Sequence, residues 1–110
     1  MKVVKWTGTA RIDLRGFPKE AREVAGYQLF QVQQGLDPAD WKPMPTVGPG
    51  VREIRVHTQG EHRVIYVAKF EEAIYVLHAC EKKTQKSRRA DVEVARRRFR
   101  EIVRHRSGKE

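Results

Sequence analysis

Cysteine is almost missing from this chain of 110 residues. Cys80 stands alone, so neither a disulfide framework nor a CxxC metal or redox site can be built within it. Long hydrophobic runs are missing as well: no apolar stretch approaches the roughly 20 residues that span a bilayer. Residues 1–16 also lack an apolar segment followed by a small-residue cleavage site. A cytoplasmic protein with no membrane association is expected. Proline is scarce except in one place, since four of the five prolines fall within residues 36–50 together with Gly48 and Gly50. Acidic residues are the minority, 14 against 23 Lys and Arg, for a net charge of +9.

What is present is a chain long enough for one core and too short for two, so a single domain over residues 1–110 is expected. The positive charge is uneven. Residues 82–106 hold eleven basic side chains and only three acidic ones, Asp91, Glu93 and Glu101. Such a field attracts a polyanion, because each phosphate neutralised releases condensed counterions. A basic run can also be no more than a solvated helix face.

The hydrophobic period predicts the elements. Val3 to Trp6 reads as a short strand, followed by a brief helical turn through Leu14 that Gly16 closes. Ala21, Val24, Ala25, Leu29 and Val32 recur at helical spacing, giving a helix over 18–34 with Pro18 at its start and Gly35 as its stop. The proline-rich stretch 36–50 reads as one long loop. Beyond it the period becomes two, and three consecutive strands over 53–57, 62–70 and 73–80 form an antiparallel meander. Helical spacing returns over 89–106, where Val92, Ala95, Phe99, Ile102 and Val103 make a narrow apolar stripe. The class is α+β: a small antiparallel sheet, the meander plus the N-terminal strand, packed with an N-terminal helical hairpin and a basic C-terminal helix.

Strand alternation puts Arg63, Ile65, Val67 and Lys69 on one face and Val64, Tyr66, Ala68 and Phe70 on the other. Arg63 is expected to stay out of the core, with Arg55 within reach across the hairpin. The last strand runs into Lys82, Lys83 and Lys86, so cations gather at one end of the sheet. RNA can be cut without a metal when its own 2′-hydroxyl attacks the phosphorus. The site must then supply a base, an acid and cations for the developing charge. Arg63 suits the last task, because its planar fork binds two oxygens and stays charged. The proton-transfer groups stay open between His57, His62 and His78 on one hand and Lys82 or Lys83 on the other. The histidines lack HExxH spacing and no cysteine pair accompanies them, so no metal and no cofactor is expected. Cys80 and Ser87 have no activating base in the sequence.

Residues 62–87, HRVIYVAKFEEAIYVLHACEKKTQKS, resemble the signature of HigB-like, phage-derived toxins of the RelE/ParE superfamily. The likeness lies in the strand Arg63-Val64-Ile65-Tyr66, in Leu77-His78-Ala79 and in the run Lys82-Lys83-Thr84-Gln85-Lys86 before the last helix. It implies a RelE-like fold and the toxin of a type II toxin–antitoxin pair, acting as a ribosome-dependent mRNA endoribonuclease. Arg63, Lys82, Lys83 and, more loosely, Arg55 take the catalytic positions; Arg52, His57, His62, His78 and Lys86 complete the expected RNA-binding set. The implied partners are a small antitoxin, often with a helix-turn-helix domain, the ribosome and its mRNA, with DNA reached only through the antitoxin. Where RelE has an arginine after its final long strand and a tyrosine in its closing segment, this chain has lysines and no aromatic before Phe99. A gyrase-binding poison like ParE is the second reading, and an inactive nucleic-acid-binding module of the same fold the third.

Overall fold

The strand segments join into one five-stranded sheet with helices on both faces. The computed structural model describes residues 1–83 and 88–108. In chain order the elements are β1 (Val3–Trp6), α1 (Ala10–Arg15), α2 (Lys19–Gln33), β2 (Trp41–Pro43), β3 (Val51–His57), β4 (Glu61–Val67), β5 (Ala73–Glu81) and α3 (Arg89–Ser107). The spatial order is β1-β5-β4-β3-β2. The meander β3-β4-β5 is antiparallel, as its short turns require, while β1 runs parallel to β5 because α1 and α2 carry the chain away before β2 begins.

The proline-rich stretch is not a single loop. Residues Trp41–Pro43 pair with β3 as an edge strand, where a proline without an N–H is tolerated. Its second half folds inward: Met44 and Val47 are buried, and Gly48 lies so close to Phe99 that a Cβ there would stand 2.3 Å from the ring. Gly35 does stop α2 as expected. At φ +86° it lets its own N–H reach Val32 O while Leu36 N–H turns back to Gln31 O, so the carbonyls of the last turn are satisfied.

Two cores result from the period-two alternation. On one face Ala21, Ala25, Leu29 and Val32 of α2, with Leu14 and Phe17, cover Ile54, Val56, Val64, Tyr66, Ile74 and Val76. On the other, Ala95, Phe99 and Ile102 of α3 cover Val51, Ile65, Val67 and Leu77. The narrow stripe of α3 is therefore spent on the sheet. Arg96 donates to Thr46 O, and Arg98 to Leu77 O at 2.8 Å. Arg106 pairs with Glu72 and stacks over Phe70. These three members of the basic run fasten the helix to the domain, and the solvated-face and polyanion readings pass to its exposed remainder, Arg97, Arg100 and Arg104 among them.

Candidate functional site

The apolar side chains of α3 cover only part of their face of the sheet. Toward the His57 end of the β3-β4 hairpin the same face turns polar. Alternation brings Glu53 and Arg55 of β3 there with Arg63 of β4, and the register sets Arg55 directly opposite Arg63. Two like charges facing each other destabilise a strand pair. Glu53 offsets them. Its Oε2 lies 3.2 Å from Arg63 Nη1, and its Oε1 lies 3.6 Å from Arg55 Nε and 3.9 Å from Lys42 Nζ on β2. Glu53 is 0% exposed and neither oxygen has a hydrogen-bond partner among the described residues, so this buried carboxylate is held by cations alone.

The third strand reaches this face through an irregularity. Ile65 pairs with His78 but Tyr66 pairs with Val76, leaving Leu77 as the extra residue of a β-bulge. Simple alternation would put His78 and Cys80 on the face of Ile74 and Val76. The bulge moves them to the α3 face, where His78 Nε2 lies 2.8 Å from Asp91 Oδ1 in the first turn of α3. The carbonyls it displaces are held by Arg98 at Leu77 O and by Thr7 Oγ1 at Val76 O, 3.0 Å away. Burial, reinforced by the Asp91 charge and opposed by Arg63, pushes the Cys80 thiol up to about 12, so it remains protonated and is no nucleophile at neutral pH. Lys82 N–H bonds to Glu61 O at 2.7 Å, extending the ladder one residue past β5 and leaving Lys82 half-buried and Lys83 exposed at its end.

Residues 12–100 match the profile of the family described as Phage derived protein Gp49-like (DUF891). The chain belongs to the Gp49-like family. Among solved structures it is similar to a chain of the toxin–antitoxin complex RelBE2 from Mycobacterium tuberculosis. That match has 23% identity and a TM-score of 0.54, and covers 74% of this chain and 98% of that one. At that identity the likeness is one of fold, and it agrees with the RelE-like α+β class read from the sequence. No curated protein sequence matches.

In this Gp49-like chain the expected site residues divide. Arg55, Arg63 and His78 share one face, and Lys82 ends the neighbouring strand. Arg63 differs from expectation in its environment: it is 2% exposed, a core ion-pair partner and no surface cation, because Glu53 draws it inward. His62 lies on the opposite face, packed against Phe17 with the ring centroids 4.4 Å apart and the planes tilted by 45°, since its neighbour Arg63 takes the α3 side. Arg52 also points away; it pairs with Asp37 at 2.9 Å and covers the Trp41 ring at 3.9 Å. His57 is exposed but its two ring nitrogens are taken by Asp40 and Glu61, which makes it a clasp between the hairpin and the loop before β2. Lys86 lies outside the described residues. Sequence reasoning missed Glu53 and Asp91. Glu53 alternates with Val51 and Arg55, and that pattern reads as a solvent face until a helix is known to cover it.

The His57 clasp gives a direct check. Its hydrogen bond to Asp40, the largest cause, raises the imidazole above its ordinary value of 6.5, desolvation opposes this, and Glu61 adds to it. With the folded value raised, the stabilisation is fully present below the unfolded value and is lost as pH rises through the folded one. NMR titration should give a His57 midpoint above 6.5 that falls back toward 6.5 in Asp40→Asn. A midpoint unchanged by that substitution would mean the clasp is open in solution.

Proposed function

We propose that the protein is the toxin of a toxin–antitoxin pair and cleaves ribosome-bound mRNA without a metal. The observation that carries this reading is the cross-strand arginine pair Arg55 and Arg63 at the lysine-bearing end of the sheet, on the same face as the His78–Asp91 pair. In this reading the exposed cations Lys82 and Lys83, with the partly exposed Arg55, hold the phosphates on either side of the cut. Arg63 acts from below: it fixes Glu53, and Glu53 fixes the direction of Arg55. The attacking 2′-hydroxyl gives its proton to water at this face, the phosphorus–oxygen bond to the next nucleotide breaks, and the leaving 5′-oxygen takes a proton from the Lys82 or Lys83 ammonium, leaving a 2′,3′-cyclic phosphate. His78, with Nε2 on Asp91 and Nδ1 buried, positions the start of α3 from beneath. Fixed guanidinium charge stabilises the pentacoordinate phosphorus more than the resting diester, which is what lowers the barrier. Its partner is a cognate antitoxin, and the family membership and the shared fold support that assignment.

Primer extension on mRNA after brief expression tests the proposal. Discrete cuts that persist in EDTA with intact ribosomes, and that vanish when Lys82 and Lys83 are both replaced by Gln, are the expected result. Inhibited DNA supercoiling without cuts would instead give a gyrase poison, and neither effect an inactive module.

A further inference from the structure

We propose that His78, Cys80 and Asp91 form a binding site for a divalent ion of zinc type. The three side chains each offer one donor atom, an imidazole nitrogen, a sulfur and a carboxylate oxygen, and these atoms all lie within 4.8 Å of one another. Zinc bonds of about 2.0–2.3 Å in a tetrahedral arrangement put neighbouring donors of this set roughly 3.3–3.6 Å apart, so ligation asks for shifts of up to about 1.5 Å, including a slight opening of the 2.8 Å His78–Asp91 contact.

The scaffold is built for such a group. His78 and Cys80 are successive same-face residues of β5, fixed by pairing with Ile65 and Arg63 of β4. Asp91 comes from a different element, the first turn of α3, which Ala95 and Phe99 clamp to the sheet. Only the bulge at Leu77 brings the strand pair round to the aspartate. His78 is 8% exposed and its Nδ1 is buried with no hydrogen-bond partner among the described residues, a polar atom whose burial the protein fold alone does not explain. A mixed N, S, O donor set selects borderline transition ions over magnesium or calcium, which prefer oxygen alone.

On ligation the Cys80 S–H bond breaks, its proton passes to solvent, and the sulfur lone pair goes to the metal. Thiolate and carboxylate then balance the ion's two charges. Three protein donors leave one tetrahedral position for water. Ion binding would also take His78 away from Asp91. The site stands on its three donors, and a spectroscopic test reads it independently of RNA cleavage.

Cobalt(II) titrated into the purified full chain should produce a thiolate-to-cobalt charge-transfer band that saturates at one equivalent and is bleached by zinc. Cys80→Ser should lose the band. Asp91→Asn and His78→Gln should weaken binding by about tenfold or more, whereas His57→Gln should leave it unchanged. Asp91 sits at the start of a helix and tolerates Asn, so that variant keeps the test valid even where Cys80→Ser misfolds. No charge-transfer band in excess cobalt, or undiminished affinity in Asp91→Asn, would overturn the site.

Discussion

Arg63→Ala should lower the unfolding free energy by about 3 kcal/mol, read as a lower urea midpoint with little change in slope. The cost comes from what stays behind. Glu53 remains sealed from water while its nearest cation is gone, and Arg55 and Lys42 sit farther away at 3.6 and 3.9 Å. Both are about one-third exposed, so solvent screens their attraction. Replacing Glu53 and Arg63 together by Met should recover much of the loss, because two apolar side chains of similar length need no counterion there. A single Arg63→Ala variant within about 0.5 kcal/mol of the parent would show that the pair does not hold the sheet. Lost growth inhibition in that variant would therefore say nothing about chemistry unless stability is measured beside it. Arg63→Lys keeps the charge and gives up the fork, which makes it the cleaner probe of function.

Replacing Lys82 and Lys83 by Gln should weaken binding to a single-stranded RNA oligomer by about tenfold at low salt, with the deficit shrinking as salt rises. The direction follows from counterion release. Each lost phosphate contact removes about 0.7 from the slope of log affinity against log salt for a single strand, so two contacts flatten it by about 1.4. At low salt the parent has the most to gain from its extra charges, and at high salt that advantage fades. Lys83 is exposed and Lys82 half-buried at the end of β5, and neither is tied into a core, so folding should be unaffected. Equal affinity and equal slopes for parent and variant would reduce the lysines to ordinary surface charge.

Much of the architecture was legible in the sequence because it rests on local periods. The α2 helix and its Gly35 stop, the three-strand meander and the α3 stripe each follow from spacing within a dozen residues. The short β2 was not legible, since three residues bearing a proline gain strand character only from pairing with β3. Arg55 and Arg63 were placed within reach of each other, and the hairpin register made them partners. His62 and Arg52 were grouped with them on charge and proximity in the chain, but strand alternation sends both to the other side of the sheet.

By itself the sequence determined the class, the sheet's central order and the gathering of cations after β5, all properties of neighbours along the chain. The tertiary structure decided which of those groups lie in water and which way they point. Burial of Glu53 depends on α3 arriving from a distant part of the chain, and this turns Arg63 from a surface cation into a core partner. The extra residue at Leu77 turns His78 and Cys80 toward Asp91. Its place is set by the match between two strands and by the Arg98 and Thr7 donors that hold its carbonyls, contacts that no single stretch of sequence contains.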